Sequence, residues 1–145
     1  MIEKINIDKI LYAIIIKSNY NKEGIEFFTP ENFSQQLAYM KRPKDYEIKP
    51  HVHMKNIKQI TYTQEVLFIK SGKIRVDFYD RNKKYLTSRL LISGDVILLS
   101  DGGHGFKIIE EAEIIEVKQG PYDPSKDKTR FESVKEKDVK IKLSE

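Results

Sequence analysis

The chain has 145 residues, which is enough for one globular domain with a hydrophobic core. Its 26 Lys and Arg residues against 22 Asp and Glu residues give a net charge of +4, and the basic residues are not concentrated as they are in nucleic-acid-binding proteins. Because the chain contains no cysteine, disulfides, thiolate zinc sites and a cysteine nucleophile are excluded. We therefore expect a globular protein that has no nucleic-acid partner.

The N-terminal region predicts neither a membrane span nor a targeting signal. The longest apolar run, residues 10–16, is shorter than the stretch of about 20 residues that a membrane-spanning helix needs. The first residues carry an acid, Glu3, and lack the cleavage site of a signal peptide. We therefore expect a cytoplasmic protein that has no membrane partner.

Short apolar stretches predict strands in the first third of the chain. Residues 10–17 are rich in Ile, which indicates a strand that is buried on both faces or that pairs with a partner subunit. Residues 25–28 and 36–41 predict two more strands. Between them, Thr29 is a candidate N-cap and Pro30 a candidate first residue of a short helix.

A histidine pair follows these strands. Two of the three histidines, His51 and His53, stand two residues apart. Side chains on a strand alternate between its faces, so a strand here would place both imidazoles on one face. Residues 54–64 are polar and predict a loop, with one candidate strand at residues 60–63.

The second half of the chain predicts hairpins. Residues 65–70 form a predicted strand, Ser71-Gly72 a tight turn, and the alternating residues 73–80 the partner strand. Further strands are predicted at residues 87–92, 96–99, 106–109 and 113–118, of which the last two would pair as a hairpin. With about eight to eleven short strands and almost no helix, the pattern indicates a β-sandwich or a small barrel, which can hold one ligand inside.

The end of the chain differs in composition from the rest. We expect a single β-domain over residues 1–124 and a charged tail over residues 125–145. The tail is dense in Lys, Glu and Asp. It could carry a short helix, lie partly disordered, or add an edge strand at residues 139–143.

Four side chains form a candidate metal site, namely His51, His53, Glu65 and His104. Imidazole nitrogens with one carboxylate suit a divalent transition metal, and the positions left open for water or substrate favour iron, manganese, nickel or cobalt over structural zinc. The alternative is that the histidine pair is merely polar surface and that Glu65 is an exposed acid at a strand edge.

These residues and their spacing resemble the two motifs of the cupin superfamily. The first, G-x5-H-x-H-x(3–4)-E-x6-G, is matched by the histidine pair, Glu65 and Gly72, although residues 54–64 form a longer spacer and the opening Gly is absent. The second, G-x5-P-x-G-x2-H-x3-N, is matched by Gly94 and by His104, which comes one residue early; Ser100 replaces the Pro, and no Asn follows. The resemblance covers residues 37–119.

The resemblance implies an all-β fold, the cupin-type double-stranded β-helix or jelly-roll β-barrel, and a homodimer. It also implies that His51, His53, Glu65 and His104 ligate a divalent transition metal such as Fe, Mn, Ni, Co or Zn. Residues 116–122 are similar to a stretch of small cupins linked to surface-carbohydrate and sugar-nucleotide pathways.

Several functions are compatible with such a fold. The first is a metal-dependent enzyme, of isomerase or epimerase type, that acts on a small polar or anionic substrate such as a sugar phosphate or nucleotide sugar, with the metal as Lewis acid. The alternatives are a non-catalytic sugar-binding or sensor module, a metal-dependent dioxygenase, and a jelly roll without metal. The candidates for the pocket wall and for proton transfer are Tyr39, Lys41, Tyr62 and Gln64. Basic residues between Lys41 and Lys49 would favour an anionic ligand, or they form a solvated loop.

Overall fold

The structure is a computed structural model that describes residues 1–143. About 45% of the chain is strand, and no α-helix occurs among the described residues. Two compact units are present: the sheet unit, formed by residues 1–20 and the chain from Thr63 onwards, and the hairpin unit, Asn21–Tyr62. Within residues 1–143, no helix is long and apolar enough to cross a membrane.

The strands are short except for two. In chain order they are β1 (Ile2–Ile7), β2 (Ile10–Ile16), β3 (Gly24–Phe27), β4 (Ala38–Lys41), β5 (Glu65–Tyr79), β6 (Tyr85–Ile92), β7 (Val96–Leu99) and β8 (Gly103–Lys118). A single 3-10 turn, Glu136–Asp138, follows them. The mostly β fold that the sequence predicts is therefore confirmed.

One antiparallel sheet makes up the sheet unit, in the order β1-β2-β7-β5-β6, and β8 pairs with β5. The first part of β5 pairs with β7 and the second part with β6, while β8 runs beside both parts. The sheet curls strongly into a half-barrel. The two long strands, β5 and β8, therefore run from one end of the half-barrel to the other.

The bend of β5 lies at Gly72, where the sequence predicts a tight turn between two strands. That prediction is wrong, because β5 continues through the position and its pairing with β8 shifts register between Ile69 and Ile74. Gly72 has φ +78°, and a Cβ there would lie 1.9 Å from the backbone oxygen of Glu111. Irregular pairing of this kind bends a strand without reversing it.

A second predicted hairpin, over residues 106–109 and 113–118, is likewise one continuous strand, β8. The reason is that β8 pairs with both parts of β5, so its pairing partner continues through the predicted turn. A local sequence signal cannot distinguish a bend of this kind from a reversal, because glycine with positive φ serves both.

Strand β2 forms part of the hydrophobic core. Its residues Ala13, Ile14 and Ile15 are fully buried, which confirms the predicted strand with two buried faces. It pairs with β1 and β7 of the same chain. The core cluster it joins comprises Ile5, Tyr12, Ala13, Ile15, Leu67, Ile69, Ile74, Val76, Phe78, Leu91, Ile97 and Leu99.

The C-terminal residues 125–143 also belong to the sheet unit. They contain the 3-10 turn and a single parallel bridge between Ser88 and Ile141. The edge strand predicted at residues 139–143 is thus reduced to that bridge. The predicted domain boundary at residue 124 stays a prediction, and the last two residues of the predicted tail lie outside the described residues.

The hairpin unit contains β3 and β4, which pair antiparallel. The short helix predicted to begin at Pro30, with Thr29 as its N-cap, is absent from the segment between them. The Thr29 hydroxyl instead donates to the side-chain oxygen of Gln36 at 2.6 Å and accepts from the Leu37 amide at 3.2 Å. Short polar side chains that bond locally in this way compete with helix formation.

Candidate functional site

Two of the four predicted metal ligands meet in the sheet unit. The Nε2 atom of His104 lies 3.0 Å from the Oε2 atom of Glu65, and the side chains are 27% and 13% exposed. Glu65 is the first residue of β5, and His104 is the second residue of β8. We call them the Glu65–His104 pair.

The curl of the sheet brings this pair together. In the β5–β8 ladder Glu65 is the partner of Lys118, whereas His104 is the partner of Phe78. The two residues therefore lie at opposite ends of one ladder, where a flat sheet would hold them far apart. Alternation places Glu65 on the face of buried Leu67, and His104 on the face of buried Phe78, so both side chains follow the core face.

Lys118 is the cation beside Glu65. Its Nζ atom is 3.8 Å from a carboxylate oxygen of Glu65 and 2.9 Å from one of Glu116. The hydrogen bond to Glu116 is the main cause that raises the pKa of Lys118, and the negative charge of Glu65 raises this pKa further. The sequence places Glu116 and Lys118 on one strand face without showing which face it is. The register with β5 shows that it is the face of Glu65.

In the Glu65–His104 pair, the carboxylate accepts the hydrogen bond. The hydrogen bond from His104 lowers the pKa of Glu65, partial burial opposes this shift, and the charges of Lys118 and Lys128 support it. Glu65 is therefore an ionised carboxylate, which can only accept hydrogen bonds. Nε2 of His104 is therefore the donor of this hydrogen bond, and in the neutral form of an imidazole the other ring nitrogen, here Nδ1, keeps its lone pair.

The other two predicted ligands, His51 and His53, lie in the hairpin unit and are exposed. Residues 42–62, all of them described, form no strand, so strand alternation does not place the two imidazoles on one face. Pro50 has no amide hydrogen to contribute to a ladder, and the polar run that follows offers no apolar face to bury. The two imidazole centroids nevertheless lie 5.4 Å apart, and Nδ1 of His51 lies 3.0 Å from the backbone oxygen of Lys49.

The donor atoms of the Glu65–His104 pair fit a divalent transition metal in kind. One imidazole nitrogen and one carboxylate oxygen stand at ligand-like separation. Among the described residues of the sheet unit, no third His, Asp or Glu completes a metal-binding group with them. The four-ligand site stays a prediction, since His51 and His53 belong to the other unit.

Of the four pocket candidates, only Gln64 lies in the sheet unit. It precedes Glu65, is 8% exposed, and its side-chain oxygen is buried without a hydrogen-bond partner. Its backbone amide donates to the side-chain oxygen of Gln119 at 2.8 Å. The other three lie in the hairpin unit: Tyr39 on β4, Lys41 at the end of β4 with Nζ 2.8 Å from Asn21 Oδ1, and Tyr62, which is 57% exposed.

The sequence analysis did not single out Lys128, a residue of the predicted tail. Its charge lowers the pKa of Glu65, although the two positions are far apart in the chain. The two residues are far apart in the chain, so no local pattern could have revealed this interaction.

Comparison with known proteins finds no matching family model, no matching curated protein and no matching solved structure. The resemblance to cupins therefore stays a prediction from the two motifs.

Proposed function

We propose that this chain is an enzyme that transfers a proton within a small polar or anionic substrate, in the manner of a sugar isomerase or epimerase. The observation that carries the proposal is the hydrogen bond between His104 and Glu65 on the core face of a curled sheet. A carboxylate that fixes the tautomer and orientation of an imidazole is a recurring arrangement for general acid–base catalysis.

His104 is the proposed general base. Because Nε2 donates to the carboxylate, Nδ1 is the ring atom that can take a proton from a carbon next to a carbonyl group. Returning that proton to a neighbouring carbon or to the opposite face of the same carbon gives an isomer or epimer. Glu65 stabilises the imidazolium that forms in between, as an ionised carboxylate does beside a positive ring.

Lys118 is the proposed electrostatic partner. Loss of a proton next to a carbonyl group leaves negative charge on the oxygen, and a cation beside the site stabilises that charge. The ammonium of Lys118 lies on the same face as the pair and already interacts with the Glu65 carboxylate. It is therefore available without any rearrangement of the strands.

The curled antiparallel sheet supports the finer proposal of a cupin jelly roll. As the alternative to the metal-free base, we propose a divalent transition metal held by Glu65, His104, His51 and His53, the residues that the resemblance implies; His104 would then be a ligand and not the general base. A metal bound by these residues would polarise a substrate carbonyl or hydroxyl oxygen as a Lewis acid. The proposed homodimer and cytoplasmic location likewise rest on the sequence alone.

The test of acid–base function is solvent hydrogen exchange. The protein is incubated in D2O with a panel of keto sugar phosphates and nucleotide sugars, and deuterium incorporation at carbon is followed by NMR. We expect exchange with at least one compound, and a loss of about 10²- to 10⁴-fold in His104→Gln. Glu65→Gln should lose less, because the ring and its free nitrogen remain.

The matched control is His51→Gln, which removes an imidazole from the hairpin unit. A general base at His104 without metal predicts that this variant exchanges like the parent protein. Exchange by His104→Gln at the parent rate would refute the proposed base. Binding of a sugar without any exchange would favour the binding-module alternative.

A further inference from the structure

Both ends of strand β8 meet at Glu65. His104, the second residue of the strand, lies 3.0 Å from the Glu65 carboxylate, and Lys118, its last residue, lies 3.8 Å from it. The strand therefore curves back on itself over its length. Side chains from opposite ends of a curved strand meet on its inner side, so the face that carries the Glu65–His104 pair is the inner face of β8.

Phe106 is the next residue after His104 on this face. Its partner in the ladder is the buried Val76, so strand alternation places it on the same face as His104. The centroids of the Phe106 and His104 rings lie 5.4 Å apart, and the ring planes are tilted by 46°. Phe106 is nevertheless 42% exposed. An aromatic surface thus lies open directly beside the proposed base.

Ile108 extends this apolar surface along the strand. Its ladder partner Ile74 is fully buried, and no register shift separates it from His104 and Phe106, so it shares their face. Like Phe106 it remains open, with 52% of its surface exposed. Open apolar side chains beside a few converging polar groups are the usual composition of a small-molecule site.

Glu116 lies on the inner face at the other end of β8. Its ladder partner is the buried Leu67, and one of its carboxylate oxygens lies 2.9 Å from Nζ of Lys118. The side chain of Glu116 is 43% exposed, so this ion pair leaves acceptor positions open. A carboxylate accepts several hydrogen bonds, and an ammonium group has three donors. Glu116 and Lys118 can therefore both accept from and donate to the hydroxyl groups of a ligand.

We propose that the inner face of β8 binds a sugar in its ring form, with Phe106 stacked against the ring and with Glu116 and Lys118 binding its hydroxyl groups. A sugar ring presents C–H groups on its faces and hydroxyl groups around its edge. These features match an open aromatic ring that shares a face with a carboxylate and an ammonium group. An open-chain sugar has the hydroxyl groups but no apolar ring face. The inference deepens the proposed function, on which it rests for the choice of a sugar.

Tryptophan fluorescence tests this assignment, because the chain itself contains no tryptophan. The full chain carrying Phe106→Trp is titrated with the methyl pyranosides of glucose, galactose and mannose, which are locked in the ring form, and with the open-chain polyol sorbitol. We expect at least one pyranoside to change the emission in a saturable manner. Sorbitol at the same concentration should leave the emission unchanged, because it offers no ring to stack.

The matched control is Ile115→Trp. Ile115 stands between Ile114 and Glu116 on the same strand, so alternation places it on the outer face, where it is 52% exposed. The emission of this variant should not respond to any of the three pyranosides. An equal response of the two reporters would show that the sugar does not bind at Phe106.

The affinity of the responding pyranoside, measured by NMR shifts of backbone amides, tests the individual side chains. Phe106→Ala should weaken binding about three- to tenfold, whereas Phe106→Tyr, which keeps the ring, should bind like the parent protein. Glu116→Gln should weaken binding by a similar factor, because a charged acceptor is lost. Glu113→Gln removes an equal charge from the outer face of the same strand and should have no effect. Circular dichroism shows whether Phe106→Ala keeps the sheet.

The inference is overturned if the pyranosides change neither the emission of Phe106→Trp nor the amide shifts of the parent protein. It is also overturned if sorbitol binds equally well, or if Phe106→Ala binds like the parent protein. Its failure can be distinguished from that of the proposed function. Pyranoside binding at Phe106 with normal hydrogen exchange in His104→Gln would refute only the general base. Loss of exchange in His104→Gln without any pyranoside binding would refute only the site for the sugar ring.

Discussion

Glu65 and His104 touch at 3.0 Å although they stand at opposite ends of the ladder between the two longest strands. The curl of the sheet makes this contact possible, and irregular pairing of the kind found around Gly72 bends strands. The geometry of the candidate site is therefore coupled to a glycine on a different part of β5.

We expect Gly72→Ala to destabilise the fold and to separate the pair. The new methyl group would meet the backbone oxygen of Glu111 at 1.9 Å in a backbone with positive φ. The combined strain should cost about 2–4 kcal/mol, measured by urea denaturation. The amide and ring signals of His104 should also change.

Gly24→Ala is the control for that substitution. Gly24 also has positive φ, +95°, but the nearest atom to an added Cβ is 4.0 Å away. It should therefore lose only the conformational cost, about 1 kcal/mol. Equal losses in the two variants would show that the close approach at Gly72 does not matter.

Metal content tests the predicted four-ligand site. If Glu65, His104, His51 and His53 hold a metal, the protein expressed without a His tag should contain about one equivalent by elemental analysis. The double variant His51→Ala/His53→Ala and the variant His104→Gln should both lose it. Retention of the metal in the double variant would show that the histidine pair is not part of the site.

Acid should release the C-terminal residues 125–143 before the sheet unfolds. The hydrogen bonds that Glu136 accepts from Arg75 and Lys107 lower the pKa of its carboxyl group from an ordinary 4.5 to about 2. A group whose pKa is lowered on folding contributes stability that is present above pH 4.5 and is lost as the pH falls towards 2. Limited proteolysis and hydrogen exchange of residues 125–143 should show progressive release over this range.

The variant Glu136→Gln separates this effect from the titration of other carboxylates. In this variant residues 125–143 should be held more weakly at neutral pH, with less change on acidification. An identical acid response in the variant and the parent protein would mean that another group controls the release of residues 125–143.

Asp77 should contribute more to stability than Glu136, although both bind Arg75. The side chain of Asp77 is 5% exposed, whereas that of Glu136 is 61% exposed. Asp77 also accepts from the hydroxyl of Ser88. We expect Asp77→Ala to cost about 3 kcal/mol in urea denaturation, since it leaves a buried cation without its main partner. The loss in Glu136→Gln should be clearly smaller, and the reverse order would contradict this account.

The sequence by itself determined the class of the fold and half of the candidate site. Apolar and alternating runs predicted β2, the two parts of β5, β6 and β7 close to where the structure has them. These predictions succeed because β-branched residues bounded by turn residues favour extended backbone locally. The motif spacing also pointed to Glu65 and His104, whose contact the structure shows.

Only the tertiary structure decided which segments pair and how the sheet bends. The sequence predicts a turn at Gly72, but long-range pairing with β8 keeps this position within β5 as an irregularity of the strand. Conversely, His51 and His53 suit a strand by alternation, but a strand also needs a neighbour to share its hydrogen bonds, and residues 42–62 form none. The electrostatic effect of Lys128 on Glu65 likewise joins residues far apart in the chain, which no local pattern encodes.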